Sequence, residues 1–392
     1  MTILSLIFYI FLPILVFGIG ILFDKVIKNR KVSKLVQTII ISLIIASVIG
    51  FRSLSVGNDT ASYYSSYESL RGIKISKALQ QGHFERGYLL ITYVFSIMRI
   101  PFYLFNFAVS LALSSFLSLA CYKLSKYPSL SIAIYICSGC FTLNMSSVRQ
   151  TLAMALCFAA IFILAILKNK NFFYKAISLI PWVAAIFIHK SSALFVIAFA
   201  CMFIKPKKTY TIVYVLLASL LIILFLPSIS TQILFANINA TETYSFFPPR
   251  QMLSFSGTAL MLFLLIVIHF IVYTNERIKI NLALEKPRVL GKLNKFVLIN
   301  DSIYFDDQIV TGMLFFQYLL YLGEQSISLL ARGALYGGLG ISIFVPNVLS
   351  KVSKEEKTNP LFLLGVLAFF IVYFWFTTLK DNYLNLMPFG VF

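Results

Sequence analysis

Three cations sit at or just inside the edges of long apolar runs: Arg149, Lys190 and Arg332. A guanidinium offers a planar fork that matches two phosphate oxygens, and an ammonium adds a compact point charge. Basic groups at membrane depth are costly unless they face a wet cavity or a partner. The trio therefore suits an anionic head group, such as a lipid-linked diphosphate, whose tail stays in the bilayer. Three side chains could take a proton nearby in the same loops: Asp59, Glu85 and His189. Gly57-Asn58-Asp59-Thr60 reads as a turn leading into a helix cap. Tyr63, Tyr64 and Tyr67 follow at near-helical spacing, suited to stacking on sugars or to an interfacial aromatic belt. Each residue also has a plainer reading. Arg149 could snorkel to head groups, Arg332 could pair with Glu324, His189 could be a bonded helix-end histidine, and Asp59 could be only a cap.

Several chemistries lack their residues. There is no G-x-x-x-x-G-K-[ST] loop, no G-x-G-x-x-G, no D-x-D pair and no H-E-x-x-H. Cys137 and Cys140 form a C-x-x-C with no second pair or neighbouring histidine, so buried thiols are expected rather than zinc. No metal, cofactor or nucleic acid is expected.

The elements that must position these groups are apolar helices. Of 392 residues, 59% are hydrophobic and 12% charged, and net charge is +19. Soluble domains run at about 45–50% apolar and about 25% charged, so an ordinary globular enzyme is excluded. Spans of about 20 apolar residues fall near 3–22, 36–51, 102–122, 128–143, 148–167, 175–189, 191–204, 209–226, 256–273, 309–323, 327–349 and 361–379. The first has no basic leader or small-residue cleavage site and is expected to be retained. The expectation is all-α: one polytopic transmembrane domain over 1–392 with about twelve helices. Most basic residues fall into clusters at Lys25–Lys34, Lys123/Lys126, Lys168–Lys175, Lys205–Lys208, Arg277–Lys295 and Lys351–Lys357. Placing all six inside satisfies the positive-inside bias and puts both termini outside. Residues 52–101 then form an outer loop holding an interfacial or re-entrant helix near 86–99. A second outer loop covers 227–255, and 274–308 is cytoplasmic.

The legs on either side of His189-Lys190-Ser191-Ser192 are short for a bilayer core of about 30 Å. That turn, and the one at 144–149, are therefore expected to lie below the outer surface.

An ordered set of short motifs completes the reading: Phe51-Arg52 through Gly57-Asn58-Asp59-Thr60 with Tyr63, then Phe84-Glu85-Arg86-Gly87-Tyr88, Ser147-Val148-Arg149-Gln150, His189-Lys190-Ser191, Arg332 with Tyr336, and Pro388-Phe389. The set resembles the EpsG-like branch of the Wzy polysaccharide polymerases. The resemblance implies a GT-C-like fold in a bacterial inner membrane, with the active site facing the periplasm. It implies transfer of a growing glycan from undecaprenyl pyrophosphate onto the non-reducing end of the next lipid-linked repeat unit. No nucleotide sugar or metal is implied, and chain length would be set by a separate co-polymerase. Phosphate-binding roles pass to Arg149 and Arg332, and to Arg52 and Arg250. Further contacts to diphosphate or sugar are expected from Asn58, Tyr63, Gln150, Lys190, Ser191 and Tyr336.

A single displacement at the anomeric carbon would invert its configuration. Preplaced cations would stabilise the departing diphosphate, and Asp59, Glu85 or His189 would take the acceptor proton, with Asp59 slightly preferred for its place beside tyrosines. Three rivals stay open: an O-antigen ligase, a lipid-linked oligosaccharide flippase and a membrane acyltransferase. The short outer loops and the absence of pseudo-repeated halves favour the polymerase.

Overall fold

A computed structural model of the chain describes residues 3–80, 84–202, 261–262, 264–267, 293–323, 328–352, 360–380, 382 and 385–391. Among these residues every regular element is helical, with one isolated backbone bridge between Arg52 and Val391. Five helices among the described residues are long and apolar enough to cross a membrane: Ile3–Val26, Arg30–Gly50, Phe102–Leu124, Val148–Asn169 and Pro360–Leu379. The sequence expected one domain of twelve spans. The described chain falls into two compact units, Met1–Ala193 with Glu355–Phe392, and Leu194–Lys354. The expected span 209–226, most of 256–273 and the loop 227–255 lie outside the described residues.

The first unit contains α1 (Ile3–Val26), α2 (Arg30–Gly50), α3 (Thr60–Ser69), α4 (Ile75–Ala78), α5 (Arg86–Ile97), α6 (Phe102–Leu124), α7 (Pro128–Ile136), α8 (Gly139–Asn144), α9 (Val148–Ile166), α10 (Phe172–Ala176) and α11 (Leu179–Ile188). Helices α2 and α6 are joined by small polar side chains. Ser42 donates to the Ser114 carbonyl at 3.1 Å, and Ser114 Oγ donates back to the Ser42 carbonyl at 2.9 Å. Small residues let helix backbones approach closely and satisfy each other inside a membrane.

Two expected spans are broken. The run 128–143 becomes α7 and α8, because Ser138 is extended and its hydroxyl donates to the Tyr135 carbonyl at 2.6 Å. A serine that bonds nearby backbone competes with helix continuation. The run 175–189 is likewise divided between α10 and α11.

The two ends of this unit differ. At one end Asp24 accepts from Ser33 (2.9 Å) and Gln37 (2.7 Å), and Tyr122 donates to Gln37. This brings the Lys25–Lys34 hairpin and the Lys123/Lys126 turn together. At the other end lie the 51–60 loop, the 144–148 turn, the start of α5, the end of α11 and residues 385–391. Within this unit the Lys25–Lys34 hairpin and the 51–60 loop thus lie at opposite ends of α2.

Helix α5 begins and ends at the second end. The Ile100 carbonyl just beyond it accepts from Tyr67 at 2.7 Å, and Phe95 packs on Phe105 of α6 at 5.2 Å. Twelve residues make about 18 Å of helix, so α5 lies across this end rather than through the bundle.

The second unit contains α12 (Phe195–Met202), α13 (Leu293–Gly323), α14 (Ser328–Ala334) and α15 (Leu339–Val352). Helix α13 runs unbroken through 293–308, where the sequence reading placed part of a cytoplasmic loop. The expected span 327–349 is split by a short 3-10 turn at Leu335–Gly337. The first unit is completed by α16 (Pro360–Phe374), extended by one π-turn over Trp375–Leu379.

Candidate active site

The 52–60 loop is built around a fully buried arginine. Arg52 Nε donates to Thr60 Oγ1 at 3.3 Å, Nη1 donates to the Ile49 carbonyl, and Nη2 is buried without a partner among the described residues. Burial holds its pKa down to about 10, opposed by Tyr9 and Tyr63. The cation meets the carbonyl end of α2, where the helix dipole is negative. Asn106 donates to Ile49 and Gly50 carbonyls at the same helix end. Gly57 adopts φ +88, and a Cβ there would lie 2.2 Å from the Met145 carbonyl oxygen. Only glycine lets this loop touch the 145–147 turn.

Thr60 starts α3, and the stripe Thr60, Tyr63 and Tyr67 faces inward. Tyr63 and Tyr67 are core residues at 3% and 0% exposure, so they do not form an open sugar-stacking face. Tyr63 instead reaches the start of α9. Its hydroxyl lies 3.0 Å from Ser147 Oγ and accepts from Arg149 Nε at 3.2 Å.

Arg149 is the centre of the constellation. Its Nη1 lies 2.6 Å from Glu85 Oε2, and its guanidinium stacks 4.6 Å from the Phe84 ring. The other oxygen of Glu85 lies 3.1 Å from His189 Nδ1 and accepts the Lys190 backbone N–H at 3.1 Å. One carboxylate is thus shared by three donors on two segments. Burial alone would raise the Glu85 pKa, but the His189 hydrogen bond, the Arg149 and His189 charges and the Lys190 amide outweigh it and hold it at about 2. An ionised carboxylate only accepts, so His189 Nδ1 carries the proton. Its Nε2 and Arg149 Nη2 make no hydrogen bond among the described residues.

Close packing fixes Glu85. It precedes Gly87, where a Cβ would lie 2.5 Å from the Phe187 carbonyl oxygen. Helices α5 and α11 therefore meet at backbone distance, one turn from the Glu85–His189 contact. Ser192 caps the turn by donating to the His189 carbonyl at 2.8 Å, while Trp182 Nε1 donates to the Ser192 carbonyl at 2.9 Å.

The other expected residues are placed as follows. Asn58 and Asp59 are exposed, and Asp59 occupies the cap position of α3 without a side-chain cap bond. Gln150 and Ser191 are buried beside the cluster's residues in sequence, and the Lys190 side chain is exposed. Arg332 is exposed on α14 and Tyr336 is buried against Phe195, both in the second unit. Arg250 lies outside the described residues. Sequence reasoning gave no role to Phe84, Ser147 or Gly87, although F-E-R-G-Y and S-V-R-Q name all three. Among the described residues no group of three His, Cys, Asp or Glu could hold a metal ion.

A model of the EpsG family matches residues 35–390. The chain belongs to the EpsG family. Membership points to a polysaccharide-polymerase type of function in a membrane, in keeping with the apolar helices. The matched EpsG region includes the 51–60 loop, the Glu85–Arg149–His189 cluster and most of the 385–391 segment. No curated protein and no solved structure matches.

Proposed function

We propose that this EpsG-family chain is a lipid-diphosphate-dependent polysaccharide polymerase. It moves a growing glycan from undecaprenyl pyrophosphate to the non-reducing end of a lipid-linked repeat unit on the periplasmic side of a bacterial inner membrane. The observation that supports this reading is the sharing of Glu85 by Arg149, His189 and Lys190. In it a preplaced cation, an oriented imidazole and one carboxylate meet at the end of the bundle away from the lysine hairpins.

In this reading the donor's diphosphate is held by Arg149 Nη2 and the Lys190 ammonium. Breaking the anomeric C–O bond leaves charge on the diphosphate, and donors fixed beforehand stabilise it without reorganisation. His189 Nε2 takes the acceptor hydroxyl proton, while Glu85 fixes the tautomer and balances the imidazolium. The geometry favours His189 over Asp59 as base, because Asp59 is exposed and unoriented. One displacement inverts the anomeric centre, and no metal is invoked.

The test is a polysaccharide ladder from a deletion strain complemented with Arg149→Ala. Loss of the ladder with retention of single-unit product supports the polymerase. Loss of every unit favours a ligase or flippase. The expectation that Arg332 also binds phosphate is checked by the same ladder from Arg332→Ala.

A further inference from the structure

The cluster stands at the apex of an apolar wedge. Gly87 of α5 touches the Phe187 backbone of α11 at the crossing. Val94 lies seven residues on, hence on the same face of α5, yet it is 42% exposed. A helix that touched α11 all along this face would cover Val94, so the two helices splay apart from Gly87. The same holds on the other side. Phe187 is 65% exposed, and Val183 and Ile180, on the same face toward the start of α11, are exposed too. Leu90 and Ile97 widen the apolar lining of α5. Both walls begin within one turn of Glu85 and His189.

We infer that the α5–α11 wedge seats the apolar chain of the lipid whose diphosphate the cluster holds. This rests on the polymerase reading for the head group. The charge at the apex is cationic, which selects a lipid with an anionic head, and the apolar walls continue directly from it. Helix α5 lies across the site-bearing end while α11 runs away from it, so the wedge is a corner. A chain leaving the apex is covered by α5 and flanked by α11 as it enters the bilayer. Branched isoprenoid chains fit such a corner because their methyl groups can fill the gaps between Leu90, Val94, Ile180 and Val183. Bulk bilayer lipid is the competing occupant.

The test uses the full chain in nanodiscs and a sugar-free polyprenyl diphosphate carrying a terminal alkyne. The native cysteines among the described residues are all buried, so Val94→Cys, Val183→Cys and a control on α16, Phe369→Cys, can each carry a benzophenone at an exposed position. Several-fold stronger photo-capture at positions 94 and 183 than at 369, suppressed by unlabelled polyprenyl diphosphate but not by polyprenol, supports the seat. Equal capture at all three positions overturns it and identifies bulk lipid. The head-group reading fails separately. Selective capture in a chain whose Arg149→Ala form still makes normal polymer keeps the seat and removes the polymerase role of the cluster. Unselective capture with loss of polymer does the reverse.

Discussion

Glu85 Oε1 stands 3.1 Å from His189 Nδ1, across 104 residues of chain. The contact decides which imidazole nitrogen is free. With Nδ1 donating to a carboxylate, Nε2 is the only ring atom left to accept a proton. Replacing His189 by Ala is expected to lower turnover by about 10²–10⁴-fold, the usual contribution of a positioned base. Glu85→Gln keeps the shape but loses the charge, so kcat should fall more than KM rises. Purified enzyme with a defined lipid-linked donor measures both, and a normal kcat in either variant would remove the dyad from the reaction.

The same carboxylate sets an acid limit on stability. Its pKa is depressed from an ordinary 4.5 to about 2. Its contribution is therefore complete above the unfolded value and is lost as pH falls from about 4.5 through about 2. Thermal unfolding in detergent between pH 6 and pH 3 should show this decline. Glu85→Gln should unfold earlier at pH 6, because Arg149 is left buried without its counter-ion, and its melting temperature should change less with pH. Breaking such a pair by removing one partner costs about 3–5 kcal/mol.

Gly87→Ala tests whether the crossing positions the acid. The added methyl would press on the Phe187 carbonyl oxygen at 2.5 Å. Backbone on both sides leaves no flexible side chain to yield, so α5 must shift and carry Glu85 away from His189. Activity should fall sharply while the protein still inserts into the membrane. Gly72→Ala is the control. Gly72 has a positive φ, unlike the helical Gly87, but a Cβ there meets nothing within 4 Å. It should lose stability only modestly and keep its turnover. Equal activity losses in the two variants would separate the crossing from the chemistry.

What the sequence disclosed and what it hid have physical causes. Hydropathy identified the long helices, because a bilayer imposes about 20 apolar residues on each. The pairing of Arg149 with Glu85 was not legible, since 64 residues separate them and only folding aligns α5 with the start of α9. Asp59 looked the better base because it lies in an outer loop beside tyrosines that could hold a sugar. In the fold its side chain makes no cap bond, and the loop is instead held by Arg52 and Thr60. The breaks at Ser138 and at Leu335–Gly337 escaped because hydropathy does not register a local change of backbone dihedral.

Arg52 offers the sharpest separation of structure from chemistry. The family resemblance assigned it to phosphate, but it is fully buried and its bonds run to Ile49 and Thr60. A buried charge without an acidic partner carries a desolvation cost that its hydrogen bonds must offset, and an apolar side chain of similar length removes both the cost and the bonds. Arg52→Met should therefore fold and insert, with a loss of about 1–3 kcal/mol from the hydrogen bonds it forgoes. Turnover should fall only several-fold, because Tyr63 and Arg149 stay in place. Arg149→Met removes the charge aimed at the donor and should lose about 10²–10³-fold in kcat, and it also lowers the melting temperature because Glu85 loses its counter-ion. Comparing melting temperature and kcat across the two variants checks this. A stable but inactive Arg52→Met would place that guanidinium on the substrate after all.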